Sequence, residues 1–268
     1  MTPPTFHIRP AGLSPADGEF IVDAFDSTLP YLASIGSEEM WGMQPFSERE
    51  GFTQETTEQV EQSRGLRPTP DGEVLRILIC EAELPSSPTA AAAEAEQDGP
   101  ADAAAAAQLS LPEGVHVRVT EGGDRRFLSV GAAMLREDWV SSYLENQPHL
   151  GLGKDGPLRG GGGGRSAAAA AGGFVYLEVM VTDCRVGAYR RGAGAALLRG
   201  VRDYAAAHGK RTVYVDAWAG NGGKLASYYE KQGYQIVGEY KLSRKNGTTW
   251  TGTLLRMDVP TTRESAES

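Results

Sequence analysis

Two arginines, Arg190 and Arg191, run directly into Gly192-Ala193-Gly194, and Ala195, Ala196, Leu197 and Leu198 follow. A strand-like run, "FVYLEVMVTD", precedes them and a helical period follows. Glycine lets backbone approach a ligand closely and take positive φ. The first turn of a helix carries unsatisfied N–H groups and the positive end of the dipole. Strand, glycine loop and helix in that order make an anion site, phosphate above all, and the two arginines add charge beside it. Two common nucleotide loops do not fit. A P-loop needs Lys-Ser/Thr after its glycines, and none is here; the third small position of the dinucleotide fingerprint falls on Leu197. The run Gly160–Gly164 sits in low complexity and opens no amphipathic helix.

The pattern resembles the acyl-coenzyme A loop of the GNAT N-acyltransferase superfamily, written Q/R-x-x-G-x-G/A. Gly192 and Gly194 match it, and the Q/R position falls on Tyr189, a departure. The resemblance continues through "VYVDAWAGNGGKLASYYEKQGYQIVGEY", where Asn221, Tyr229-Glu230-Lys231 and Gly233-Tyr234 stand in the family's order. The spacing from Asn221 to the tyrosine is one residue longer than usual. It is specific over about 174–258 and plausible over 5–83 and 114–147. It implies an α/β (α+β) fold, a mixed central sheet flanked by helices. It implies acetyl-CoA as co-substrate, wedged between two central parallel strands and held by Tyr189, Arg190, Arg191, Gly192, Ala193, Gly194, Ala195 and Asn221. Backbone at Met180 and Val181 would pair with the pantetheine arm and supply the oxyanion donor.

Acyl transfer from a thioester to an amine must remove a proton from the amine, stabilise an oxyanion and protonate a thiolate. Glu178 is the candidate base: it lies eleven residues before Tyr189, a spacing that resembles histone-type members of the family. Alternation along the strand predicts Val175, Leu177, Val179 and Val181 on one face, with Glu178 on the other beside Tyr176 and Met180. An exposed Glu has a pKa of about 4.3 and is a poor base for an ammonium, so a cleft or a relaying water is required. Pairing with a nearby Arg or Lys is the plain alternative. Asp183, at the strand end, and Asp216, sharing a face with Tyr214 and Trp218, are weaker candidates. Tyr229 is the candidate acid, by its family place near the sulfur; core packing is its alternative role. Trp41 and Phe46 would line the acceptor site or pack the core. Cys184 has no suitably spaced His and reads as a strand-end cysteine.

These residues need elements to hold them. Strands are expected at "TFHIR", "EVLRILICEAEL", "VHVRVT", "RRFLSVGAAML", "RTVYVDAW", "YQIVGEYKLS" and "TWTGTLLRMDV", the last two joined by an Asn-Gly hairpin signal. A helix over 192–208 should bury Leu197, Val201, Tyr204 and Ala205 and stop at Gly209. A first helix is expected to break or restart at Pro30. The unit 174–218 is strand, helix, strand and should be parallel. The whole reads as one domain over 1–260, with flexible insertions at about 84–113 and 150–173. Their cores, 84–108 and 151–173, are Ala-, Pro-, acid- and Gly-rich. A disordered tail is expected at 261–268.

The chain has 268 residues and a net charge of −9. Thirteen basic and seven acidic residues between Phe174 and Pro260 make that part +6 and leave −15 for the remainder. Charge thus favours an anionic ligand in the C-terminal part and argues against nucleic acid. Two cysteines and four histidines at no ligand spacing give no metal site. No signal peptide or span of about 20 apolar residues is evident, which predicts a cytoplasmic protein without a membrane. The expected partners are acetyl-CoA and a small-molecule or peptide amine, with a homodimer left open. The function expected is an acetyl-CoA-dependent N-acetyltransferase. The rivals are a non-catalytic acyl-CoA-binding or sensor protein and a nucleotide-binding α/β domain.

Overall fold

The computed structural model describes residues 4–65, 74–85, 111–120, 122–123, 125–153, 172–244 and 247–260. Residues 86–110 and 154–171, the bulk of the two expected insertions, lie outside these, as do the expected tail and Asn246 of the hairpin signal.

The strands are β1 (Phe6–Pro10), β2 (Val74–Leu84), β3 (Val117–Val119), β4 (Arg126–Glu137), β5 (Phe174–Thr182), β6 (Thr212–Trp218), β7 (Gln235–Ser243) and β8 (Thr249–Asp258). The helices are α1 (Asp17–Ser34), α2 (Phe52–Gly65), the single turn α3 (Ser142–Glu145), α4 (Ala193–Ala207) and α5 (Lys224–Lys231). The eight strands form one mixed sheet in the order β1-β2-β4-β5-β6-β8-β7, with β3 paired to β4. This is the central sheet flanked by helices that the sequence predicts. Among the described residues only β5 and β6 pair in parallel, joined through α4.

Alternation in the strands divides the core between two faces. Leu78, Cys80, Leu135, Val175, Leu177, Val213 and Val215 meet Leu197, Val201 and Ala205 of α4. On the other face Leu75, Ile77 and Ile79 meet Phe20, Ile21, Ala24 and Phe25 of α1 and Val60 of α2. Further along that face, Tyr176, Tyr214, Tyr240 and Leu254 pack with Leu144, Leu150 and Leu152. Leu150 and Leu152 are fully buried. Apolar burial therefore reaches inside the edge of the second expected insertion. Helix α1 runs through Pro30 without the expected break. The proline removes one backbone hydrogen bond, but burial of Leu29 and Leu32 on either side holds the helix together. Among the described residues no helix is long and apolar enough to cross a membrane.

A buried charge network fastens the N-terminal strand. Arg9 donates from Nε to Glu81 (2.6 Å) and from its two terminal nitrogens to Asp17 (2.8 and 2.7 Å). Arg118 donates to both oxygens of Glu81 (2.9 and 2.6 Å). Burial works against the Glu81 charge, but hydrogen bonds from Arg118 and Arg9 outweigh it and hold the carboxyl below the usual range. Glu81→Gln should therefore destabilise the fold by about 3 kcal/mol at neutral pH. A group with a depressed folded pKa contributes stability above its unfolded pKa and loses it as pH falls through the folded one. Urea denaturation should accordingly show the gap between wild type and variant closing below about pH 4.

Candidate active site

The site begins with a defect in β5. Leu177 opposes Leu135 and Val179 opposes Met134 on β4, so Glu178 is an extra residue, a β-bulge. A bulge bends its strand and increases local twist. The parallel ladder to β6 stops at the same place: its last pair is Leu177 with Val215. Beyond it β5 follows β4 to Thr182, and β6 follows β8 to Trp218. The two strands part, and a cavity of about 840 Å³ fills the gap, lined by Leu177–Thr182 on one side and Val215, Asp216 and Trp218 on the other.

The bulge also corrects the expected alternation. Val175 and Leu177 face α4, as expected, but Val179 and Val181 pack with α1 on the opposite face, and Met180 turns toward α4. One inserted residue exchanges the faces of everything after it.

The glycine loop closes the far end of the cavity. Gly192 caps α4 with φ +91°, and no side chain caps the helix. The first helical bond runs from Ala196 N to Gly192 O (2.9 Å), which leaves the amides of Ala193, Gly194 and Ala195 outside the helical ladder. A Cβ at Gly194 would stand 2.7 Å from the Tyr228 hydroxyl. Arg190 lies over the Tyr31 ring (4.7 Å) and reaches Thr182 Oγ1 (3.4 Å). Arg191 is exposed at the rim. Helix α1 braces this end: Ser27 Oγ accepts from Cys184 N (2.9 Å), and Thr28 Oγ1 donates to Thr182 O (3.3 Å).

Of the residues singled out from sequence, Glu178, Met180, Val181, Arg190, Arg191, Gly192, Gly194 and Tyr229 all line this cavity. Ala193 is buried as the first residue of α4, and Tyr189 packs against the same core. Ala195 stands half-buried in the first turn of α4. Asn221 donates from Nδ2 to Ile35 O and Ser37 Oγ, both 2.8 Å, and so ties the turn after β6 to the end of α1. Trp41 lines the cavity, whereas Phe46 is buried against Phe25 and Phe52. Asp183 is buried and paired to Arg185 (2.8 Å). Cys184 lines the cavity, and burial pushes its thiol pKa up, away from a reactive thiolate.

Glu178 accepts a hydrogen bond from Arg136 Nε (2.7 Å), and that guanidinium lies over Trp139 (4.5 Å). Tyr229 is 5% exposed, and its hydroxyl has no hydrogen-bond partner among the described residues. Burial pushes its pKa well up, so the phenol keeps its proton. Asp216 accepts from the hydroxyls of Tyr176, Tyr240 (2.6 Å) and Tyr143 (3.4 Å). Burial raises the Asp216 carboxyl above its ordinary value against the opposing pull of those hydrogen bonds. Arg136, Tyr228 and the three tyrosines carry no local motif and were not legible as site residues; they come from five separate elements and meet only in the fold.

No family model matches the chain, and none of the curated proteins matches it. Solved structures do. It is similar to the Salmonella typhimurium protein yncA with its cofactor acetyl-CoA, at 13% identity over 95% of this chain and 94% of that one, with a TM-score of 0.48. It is similar to an acetyltransferase of the GNAT family from Listeria monocytogenes at 13% identity, 94% of each chain and a TM-score of 0.45. A third, an acetyltransferase of the GNAT family from Streptococcus pneumoniae, gives 13% identity, 95% and 100% coverage and a TM-score of 0.42. Identities this low with TM-scores below 0.5 transfer no activity to this chain.

The Asp216 cluster makes its own prediction. Tyr240→Phe removes one donor from the half-buried Asp216 carboxylate and should cost about 1.5–3 kcal/mol while it is ionised. The lost bond favoured the charged form, so the cost should shrink as pH falls through the Asp216 pKa. Denaturation of both proteins across pH checks the sign.

Proposed function

We propose that this chain is an acetyl-CoA-dependent N-acetyltransferase that acylates the primary amine of a small molecule or peptide. The observation that carries the reading is the parting of β5 and β6 into a cavity that ends on an uncapped, glycine-bearing helix N-terminus flanked by Arg190 and Arg191. Those features suit a long ligand with an anionic end. The free amides of Ala193, Gly194 and Ala195, with the two arginines, would hold the diphosphate. The absence of a side chain at Gly194 leaves the ligand room beside Tyr228. Met180 and Val181 offer backbone along the parted edge of β5. Bound acetyl-CoA would supply a thioester carbonyl for an amine to attack.

The chain's own residues would then handle protons. Glu178 stands at the vertex, one residue past the last parallel pair, where it can accept a proton from the amine directly or through water. Arg136 fixes its orientation. Tyr229, kept protonated by burial, offers a hydroxyl to negative charge developing on sulfur. The free thiols Cys80 and Cys184 suit the reducing cytoplasm. The Glu178–Arg136 pair favours a second reading, a chain that holds acyl-CoA without transferring its acyl group. Release of free thiol in the presence of a panel of amines separates the two.

Calorimetry with acetyl-CoA tests the loop. Gly192→Val and Gly194→Val should abolish binding while the chain stays folded, the first by strain at positive φ and the second by filling the cradle. Arg190→Ala with Arg191→Ala should weaken binding less, and the loss should shrink at high salt. Unchanged affinity in the glycine variants would remove the loop from the ligand site.

Turnover tests the vertex. Glu178→Gln should cut it by about 10²–10⁴ and erase the acidic limb of the pH–rate profile. Tyr229→Phe should lower turnover with coenzyme affinity nearly unchanged. A rise in the dissociation constant at constant turnover would make Tyr229 a packing residue instead.

A further inference from the structure

Glu178 and Asp216 each stand one residue beyond the last parallel pair, Leu177 with Val215, so two carboxylates flank the vertex of the cavity. They are not equivalent. Glu178 is compensated by Arg136 at 2.7 Å. Asp216 has no cationic partner among the described residues; its oxygens meet the tyrosine hydroxyls and its own backbone amide. A hydroxyl orients a carboxylate but does not neutralise it. Burying an uncompensated charge is costly, and a cation from outside would offset the cost.

The walls around Asp216 suit such a cation. Trp218 lies two residues along the same strand and points to the same face. Trp250 packs against Tyr240 with ring centroids 5.9 Å apart, and Tyr143 stacks on Tyr240 at 5.8 Å. Trp218, Trp250 and Tyr143 all line the cavity beside Asp216. Aromatic faces around a carboxylate favour an ammonium over a neutral molecule of the same shape. The cavity is also polarised along its length. Arg190 and Arg191 stand beyond the end of β5, and the vertex is four residues back along the strand from Thr182, about 13 Å at the rise of a β-strand. Opposite charges at the two ends hold two different ligand groups apart.

We propose that Asp216, walled by Trp218, Trp250 and Tyr143, is the subsite that selects the acceptor as a small primary alkylamine in its ammonium form. This rests on the acetyltransferase reading and names the substrate class for it. Anionic and uncharged acceptors are excluded by the same carboxylate. The reacting nitrogen arrives protonated and loses its proton at the vertex, where the Glu178 carboxylate also stands.

Binding can be tested without acetyl-CoA. Trp41, Trp218 and Trp250 line the cavity, so intrinsic fluorescence should report n-butylammonium chloride titrated at constant ionic strength, with n-butanol as the neutral isostere. The wild type should bind the ammonium at least tenfold more tightly than the alcohol. Asp216→Asn should bring the two within about twofold, and Asp216→Glu should restore part of the preference. Equal binding of ammonium and alcohol by the wild type overturns the proposal whether or not the variants fold. So does an Asp216→Asn protein that keeps the full preference. Failure of acetyl-CoA to bind in the calorimeter would instead count against the acetyltransferase reading, and the fluorescence titration would still decide whether the cavity selects a cation.

Discussion

The structure turns on one interruption. A single extra residue in β5, Glu178, bends that strand away from β6, and the parallel ladder between them ends after four pairs. Strand edges left without partners carry unsatisfied peptide groups, which a sheet ordinarily avoids. The opening persists because each parted strand keeps its other neighbour: β5 stays on β4 as far as Thr182, and β6 stays on β8 as far as Trp218. Helix α4 packs over the joined half of the pair, and α1 pins the far end of β5 through Ser27 and Thr28. The gap is a supported feature, and Glu178 and Asp216 take their positions from it.

Burial sets the electrostatics of that gap. The hydroxyls of Tyr143, Tyr176, Tyr228, Tyr229 and Tyr240 all have pKa values raised, first by desolvation. Near neutral pH they stay protonated and can act as hydrogen-bond donors. The ionisable character of the cavity is left to the carboxylates at its vertex and the arginines at its rim. An overall acidic chain thus carries a basic mouth over an acidic floor.

Much of this was legible in sequence, for identifiable reasons. Strands β5 and β6 and helix α4 follow from alternation and from a 3.6-residue period ending at Gly209, because their burial is regular. Gly192 was legible because its positive φ favours glycine, and Gly194 because a Cβ there would meet the Tyr228 hydroxyl. The bulge was not, since nothing in "LEVMV" distinguishes an inserted residue from a continued alternation; the register is fixed by β4, over forty residues earlier. The faces of Val179, Met180 and Val181 were misassigned for that reason alone. Pro30 misled in the opposite sense: a local rule was overridden by burial of its neighbours. The partners of Glu178 and Asp216 lie 24 to 73 residues away in the chain, a separation that no local pattern records.

Asn221 holds the end of α1 through Ile35 and Ser37. Arg244, just past β7, donates to Glu39 O (2.7 Å), and Arg49 donates to Trp41 O (2.8 Å). The segment that brings Met40 and Trp41 to the cavity is therefore tethered from three directions, two of them on the far half of the sheet. Such a wall cannot swing without breaking bonds at several distant places together. The wall that Met40 and Trp41 form is thereby coupled to the chain that follows β6 and β7, on the opposite side of the cavity from β5.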